Sequence, residues 1–168
     1  MSVPSTLAKL LRIGGRRNGA PSRRPLRFRP GLESLECRLT PAGNAIALDS
    51  VFVSGDTSLL AAGGGNSIAI DNQTPGSKFG GRVDITMTGK NNLLEINSKH
   101  RRPQTGTTTF DGRVSAQLGA GNDTLILAEI GKVDFEAAAT FKGGPGMNTA
   151  LVIGDNILGA VPALVNFR

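Results

Sequence analysis

The chain has no Trp, no Tyr and only one cysteine, Cys37, in its 168 residues. A single cysteine excludes an internal disulfide. Together with the only histidine, His100, it cannot supply the four ligands of a structural zinc site. No apolar run reaches the 18 or so residues that would predict a transmembrane helix. The absence of Tyr and Trp removes the rings on which sugars usually stack, and no Gly-rich segment carries the Lys-Ser/Thr of a phosphate loop.

The chain has an excess of positive charge, and this charge is unevenly distributed along the sequence. The formal net charge is +6, with nine basic and two acidic residues over 1–42 and ten basic and eleven acidic residues over 43–168. A strongly basic chain suggests nucleic acid as a partner. Here the excess lies entirely in the first 42 residues, so nucleic-acid binding by the remainder is not expected.

The first 43 residues are predicted to be a leader that is separate from the folded part. Ser5–Ile13 has leucines at helical spacing with basic residues between them, which favours a short amphipathic helix. The Pro/Gly/Arg-rich stretch that follows lacks periodicity and is predicted to be disordered. We therefore expect a basic targeting segment over 1–43 and a single β-repeat domain over 44–168.

The end of this leader, LESLECRLTPAGN, has a pattern of its own. Its three leucines, Leu32, Leu35 and Leu39, share one face of a helix that Pro41 would end. Thr40 and Ala42 are small residues at the spacing of a processing site, so a cut after Ala42 is chemically plausible.

This segment resembles the N-terminal segment of secreted planctomycete proteins. In those proteins a basic stretch precedes a Leu-Glu-x-Leu-Glu-x-Arg-x-x-Pro-Ala-like run and then β-rich repeats. The positions that match here are Leu32, Glu33, Leu35, Glu36, Arg38, Leu39, Thr40, Pro41 and Ala42. Cys37 departs from the Asp that is usual there. The resemblance covers about a tenth of the chain and implies an exported, bacterial, cell-envelope or extracellular protein, without implying an activity.

Two other interpretations of the leader stay open. A basic arm that remains attached could contact nucleic acid or anionic lipid. An Arg-rich, acid-poor organelle transit peptide also fits residues 1–31.

The rest of the chain contains an internal repeat of Gly/Asn turns followed by apolar strands. The four units are GGGNSIAID (63–71), GKNNLLEIN (89–97), GAGNDTLIL (119–127) and GGPGMNTALVI (143–153), which align Asn66, Asn91, Asn122 and Asn148. A second motif, Phe-x-Gly-Arg-Val, occurs twice, starting at Phe79 and at Phe110. Each unit is therefore predicted to be strand, Gly/Asn turn, strand and loop, with a period of 24 to 31 residues.

Two all-β architectures fit this repeat. Apolar and polar residues alternate along the strands, so one face of each strand is buried. A period in this range favours a short parallel β-solenoid, similar to a right-handed β-helix, of about four to five coils, with Asn side chains stacked at a repeated turn. The alternative is an antiparallel β-sandwich, whose hairpins would use the same turns.

One turn bears on metal binding. Gly119, Gly121, Asp123 and Leu125 match the calcium nonapeptide GGxGxDxUx, although Leu118 replaces its first Gly. The match makes Gly119, Gly121 and Asp123 a candidate calcium site. The alternative is a plain solenoid corner, since calcium takes six to eight oxygens and an isolated half-site supplies too few. No other cofactor is predicted.

The remaining chemical candidates are weaker. His100 lies in a basic loop, where it is either a base or phosphate contact or a solvated insertion. Five acids could by type serve in glycoside hydrolysis, which needs a pair of carboxyl groups; they are Asp84, Asp111, Asp123, Asp134 and Glu136.

These observations leave three functions. The first is a non-enzymatic exported or cell-envelope protein with a structural or adhesive role, whose partner would be a cell-surface polymer or protein. The second is a secreted carbohydrate-binding or carbohydrate-acting module, which should expose aromatic rings or converging carboxylates. The third is nucleic-acid binding through the basic N-terminal arm, which should weaken steeply with salt.

Overall fold

The computed structural model describes residues 43–98 and 106–168 and, for residues 35–39, the backbone alone. Within these ranges the chain forms sixteen β-strands, and helix is limited to one 3-10 turn, Gly154–Asn156. The predicted all-β class is confirmed. No helix in the described ranges is long and apolar enough to cross a membrane.

The strands form three parallel sheets, and each turn of the chain adds one strand to each of them. The first sheet contains β1 (Leu35–Leu39), β4 (Thr57–Ala61), β7 (Val83–Met87), β10 (Val114–Gln117), β13 (Ala139–Lys142) and β16 (Ala163–Val165). The second contains β2 (Ala45–Leu48), β5 (Ser67–Ile70), β8 (Leu93–Ile96), β11 (Thr124–Leu127) and β14 (Thr149–Val152). The third contains β3 (Phe52–Val53), β6 (Lys78–Phe79), β9 (Thr107–Phe110), β12 (Lys132–Phe135) and β15 (Ile157–Gly159).

This arrangement is a β-solenoid of five full turns, with β16 beginning a sixth. Every strand pair among the described residues is parallel. The predicted solenoid is therefore confirmed, and the antiparallel sandwich is excluded.

The repeating unit has three strands, where the sequence pattern predicted two. The segment after each Phe was expected to continue as one strand, but the chain bends between Phe79 and Val83 and again between Phe110 and Val114. The two copies of Phe-x-Gly-Arg-Val are nonetheless in register, because Phe79 pairs with Phe110 and Val83 with Val114. The motif is thus a corner between the third and first sheets.

Glycine is required at this corner by the closeness of successive turns. A Cβ on Gly112 would overlap the carbonyl oxygen of Gly81, and one on Gly81 would overlap the carbonyl carbon of Gly55. Contacts this short leave no room for a side chain, which explains why the motif repeats with glycine at the same place in both copies.

The helix predicted around Leu35 and Leu39 is wrong over that stretch. Residues Leu35–Leu39 form strand β1, which pairs in parallel with β4. In the sequence, apolar residues also occur at every second position of LECRL, so five residues fit either period. Pairing with an existing sheet edge decides between them, and the first sheet thus begins before the boundary expected at residue 43.

The core is built from columns of like side chains, one from each turn. The longest aromatic column runs through the third sheet: the rings of Phe79 and Phe110 stack at 5.1 Å between centroids, and those of Phe110 and Phe135 at 5.4 Å. Phe141 meets Phe135 edge-on at 6.1 Å. All four are fully buried, so this column joins three turns through one apolar contact surface.

Replacing Phe110 by Ala tests the importance of this column. The substitution removes the middle ring of the stack and leaves a cavity, so we expect the free energy of unfolding to fall by about 3–5 kcal/mol. Urea denaturation measures it. The matched control is Phe52→Ala, because Phe52 is 54% exposed and its loss should change stability by less than about 1 kcal/mol. Equal losses in the two variants would contradict the assignment.

Candidate functional site

The polar feature that repeats in every turn is a ladder at the corner between the first and second sheets. We call it the asparagine ladder; its residues are Asn44, Asn66, Asn92, Asp123 and Asn148. Each one immediately precedes a strand of the second sheet. All except the first are only 1% exposed, so the ladder lies inside the corner.

Within the ladder, each side-chain oxygen accepts hydrogen bonds from the turn before it. The backbone N and Nδ2 of Asn66 donate to Oδ1 of Asn92 at 3.2 and 2.9 Å. Those of Asn92 donate in turn to Oδ1 of Asp123 at 2.7 and 3.1 Å. The backbone N of Asp123 donates to Oδ1 of Asn148 at 3.0 Å. The ladder therefore links five successive turns, because Asn44 donates to Asn66 in the same way.

The amide nitrogens of the ladder also satisfy backbone carbonyls at the corner. Nδ2 of Asn66 donates to the carbonyl of Gly63 at 2.6 Å, and Nδ2 of Asn92 donates to that of Leu118 at 2.6 Å. Buried carbonyls without partners would cost about 1–3 kcal/mol each. The ladder thus supplies hydrogen-bond donors to carbonyls at the corners of the stack, where the chain turns and no neighbouring strand can supply them.

Two of the four asparagines aligned from the sequence lie one position away from the ladder. Asn91 and Asn122 are exposed, while their neighbours Asn92 and Asp123 occupy the buried positions. Asn91 and Asn122 form an outer row, in which Oδ1 of Asn91 accepts from the backbone N of Asn122 at 3.2 Å. The residue next to the strand is the buried one, and the sequence alignment placed Asn91 and Asn122 one residue out of register.

We expect an amide side chain to matter more for stability at the buried rung Asn92 than on the outer row. Asn92→Ala removes acceptors and donors that no neighbour can replace, so we expect a loss of about 2–3 kcal/mol in the free energy of unfolding. Asn122→Ala, on the exposed outer row of the next turn, is the matched control and should cost less than about 1 kcal/mol. Thermal or urea unfolding of both variants provides the comparison, and a larger loss for Asn122 would refute this register.

A second buried polar cluster, which sequence reasoning missed, centres on Asp71 at the corner between the second and third sheets. Asp71 is fully buried. Its Oδ1 accepts from the backbone N of Ser50 at 3.0 Å and from the Ser77 hydroxyl. Its Oδ2 accepts from the backbone N of Gly76 at 3.1 Å, the backbone N of Ser77 at 2.7 Å and Thr108 Oγ1 at 2.8 Å.

The sequence does contain a signal for this cluster. Asp71 and Asn97 end the first two repeat units, directly after β5 and β8, and both adopt positive φ, 55° and 53°. Asp and Asn tolerate this left-handed conformation better than other side chains do. A polar residue of this kind after each second-sheet strand would have predicted a second structured corner.

The predicted calcium residues lie at the ladder corner. Gly119 and Gly121 have positive φ of 93° and 102°, and a Cβ on Gly121 would come within 3.1 Å of the Lys90 backbone. Oδ1 of Asp123 is directed at Asn92. The described residues contain no group of three or more His, Cys, Asp or Glu placed to hold a metal. The positive φ of the turn and the close approach of the preceding turn explain why glycine occurs at both positions.

We expect calcium to have no effect on stability, since only one carboxylate is near and one of its oxygens already accepts two hydrogen bonds. The measurement is the melting temperature with excess calcium and with a chelator. A chelator-induced fall that calcium reverses, and that Asp123→Asn abolishes, would instead establish the site.

Among the other candidate acids, two form ion pairs with basic neighbours, and one pair is brought together at a corner. Asp84 forms an ion pair with Arg82, Nε to Oδ2 at 2.7 Å, and Asp111 forms one with Lys78, Nζ to Oδ2 at 3.0 Å. The corner after β12 brings Glu136 beside Asp111, because the N of Glu136 donates to the carbonyl of Phe110. Asp134, on β12, is partly exposed. His100 lies outside the described residues.

Two surface hollows lie at the C-terminal end of the stack. One is lined by Gly144–Gly146 and 166–168, and the other by apolar residues around Val161. Neither lining contains an acid or a histidine. Neither hollow thus brings together a nucleophile, a base or a pair of carboxylates of the kind that catalysis needs.

Comparison with known proteins adds no relative. Protein-family models, curated proteins and solved structures were all searched, and none matched this chain.

Proposed function

We propose that this chain is a non-enzymatic exported or cell-envelope protein with a structural or adhesive role. One observation carries the proposal: most of the buried polar side chains of the described turns hydrogen-bond to neighbouring turns and to the backbone. Side chains of types that could take part in catalysis are thereby engaged in holding the stack together. A stack held in this way is suited to act as a rigid spacer or platform.

Export is supported by the sequence of the first 43 residues. Their resemblance to planctomycete leaders, and the charge of +7 that they carry against −1 for the remainder, indicate a targeting role for the segment that precedes β1 at Leu35. A basic segment of this kind is typical of an address and not of a packed domain.

The outer face of the first sheet is a surface on which an adhesive partner could lie. Its outward column carries short polar side chains in register: Ser58, Asp84, Ser115 and Thr140. A column of this kind offers hydrogen bonds to an extended polymer or to another protein. We propose a cell-surface polymer or protein as the partner.

The carbohydrate-acting alternative has less support. It needs exposed rings or converging carboxylates, and among the described residues Phe52 is the one strongly exposed aromatic side chain. The nucleic-acid alternative depends on the basic arm remaining attached to the mature protein.

The N-terminus of the native protein tests the proposal. We expect mass spectrometry combined with cell fractionation to find a processed chain outside the cytoplasm. An end near Gly43 would remove β1 and leave β4 as the first strand, whereas an end before Leu35 would keep β1 in the sheet. Either end supports export.

An intact Met1 or Ser2 end in the cytosol would overturn the export proposal. In that case, DNA binding that weakens steeply with salt would establish the nucleic-acid alternative. Turnover of a polysaccharide by the purified chain would overturn the non-enzymatic part independently of location.

A further inference from the structure

Asp123 is the one acid in the asparagine ladder. Its Oδ1 accepts two hydrogen bonds from Asn92, as the Oδ1 of a ladder asparagine does. Its Oδ2 is buried and has no hydrogen-bond partner. A buried carboxylate oxygen without a donor is costly, so the state of this oxygen needs an explanation.

The neighbouring rungs show what occupies the equivalent place. There the second side-chain atom is Nδ2, which donates to a carbonyl of the next turn: Asn66 to Thr88 at 3.0 Å, Asn92 to Leu118 at 2.6 Å, and Asn148 to Asn166 at 3.0 Å. For Asp123 the strand register makes Gly143 the residue equivalent to Leu118, since Gln117 pairs with Lys142 directly before them. The carbonyl of Gly143 is therefore the one that corresponds to the Leu118 carbonyl, which accepts from Asn92.

No described charged group compensates an anion at this position. Apart from Asp123 itself, its corner (residues 119–123), strands β11 and β14, and the next corner (residues 143–147) carry no titratable side chain. Lys90 on the preceding turn and Lys142 at the end of β13 are both exposed, and neither pairs with Asp123.

Of the more distant groups, Glu95 is hydrogen-bonded elsewhere and Arg168 is exposed. Glu95 on β8 is hydrogen-bonded to Asn72 at 3.0 Å and to Ser98 at 3.3 Å. Arg168 contacts the ladder through its backbone N, which donates to the carbonyl of Asn148, and the residue is exposed.

We propose that Asp123 is carried as a neutral carboxylic acid, whose proton on Oδ2 is donated to a backbone carbonyl of the next turn in place of an asparagine amide. A protonated carboxyl has one acceptor oxygen and one donor, which is the pattern the ladder uses. It is also nearly the same shape as the amide. The rung is thus a proton-binding site within the stack.

The buried Asp71 shows how the same fold holds a carboxylate differently. Both of its oxygens accept hydrogen bonds, from three backbone N–H groups and two hydroxyls. Asp123 has donors on one oxygen alone. The contrast indicates that the ladder position is built for a side chain that itself donates.

Burial raises the pKa of Asp123 above its ordinary value, and the hydrogen bonds from Asn92 oppose that rise without cancelling it. A group whose pKa is raised on folding binds its proton more tightly in the folded state. Its stabilising contribution is complete below the unfolded pKa of about 3.9. The contribution is lost as the pH rises through the raised pKa of the folded state.

The experiment compares the pH dependence of stability for the full chain and for Asp123→Asn. The amide keeps the donor at every pH, so we expect the variant to melt above the unsubstituted protein at pH 8 by about 3 °C or more. The difference should shrink towards zero as the pH falls to about 4. Asp155→Asn, at an exposed position, is the matched control and should show no such trend.

Carbon-13 NMR of the aspartate carboxyls provides the second measurement, and it does not depend on the variant. We expect the Asp123 carboxyl to titrate above the ordinary aspartate value of about 3.9. Titration at or below that value would overturn the proposal, as would a variant less stable than the unsubstituted protein at pH 8. Stabilisation by calcium that is lost in Asp123→Asn would show that a cation, and not a proton, occupies the rung.

Discussion

The structure depends on one constraint, which is that successive turns stack in parallel register about 4.8 Å apart. Each side chain then lies on its counterparts in the turns before and after it, so a column is stable only if its members attract one another. Phenylalanine rings meet this requirement by stacking, as Phe79, Phe110 and Phe135 do. Asparagines meet it by donating to the next oxygen along the column. Carboxylates alone cannot meet it, because like charges at this distance repel.

The same constraint explains what could be predicted from the sequence. Because columns require like residues, the repeats of Gly/Asn turns and of Phe-x-Gly-Arg-Val recur at the period of one turn, and this recurrence indicates a solenoid. The third side could not be predicted in this way. The corner between Phe110 and Val114 interrupts the strand without ending the alternation of apolar and polar residues, so one long strand and two short ones have the same pattern.

The candidate site was harder to place because the chemistry of adjacent residues is alike. Asn91 and Asn92 differ only in which one precedes the strand, and that choice decides which is buried. Similarly, five residues at Leu35–Leu39 fit both the helical and the strand period, and the available sheet edge selects the strand. The pairing of strands that are distant in the sequence decides both cases, and the local sequence does not reveal that pairing. The Asp71 cluster depends on Ser50, Ser77 and Thr108, which three different turns bring together.

The ladder also limits where an acid can stand. The side chain of each rung must accept from the turn before it and donate to the turn after it, and an anionic side chain can do only the first. One acid is tolerated at Asp123 because Asn92 and Asn148 on either side are neutral. No charged neighbour within the column therefore favours the loss of its proton. Two acids in succession would each need a proton, because two ionised carboxylates at adjacent rungs would repel each other. A single acid among amides is therefore the arrangement in which a solenoid corner gains a titratable group and keeps its hydrogen-bond direction.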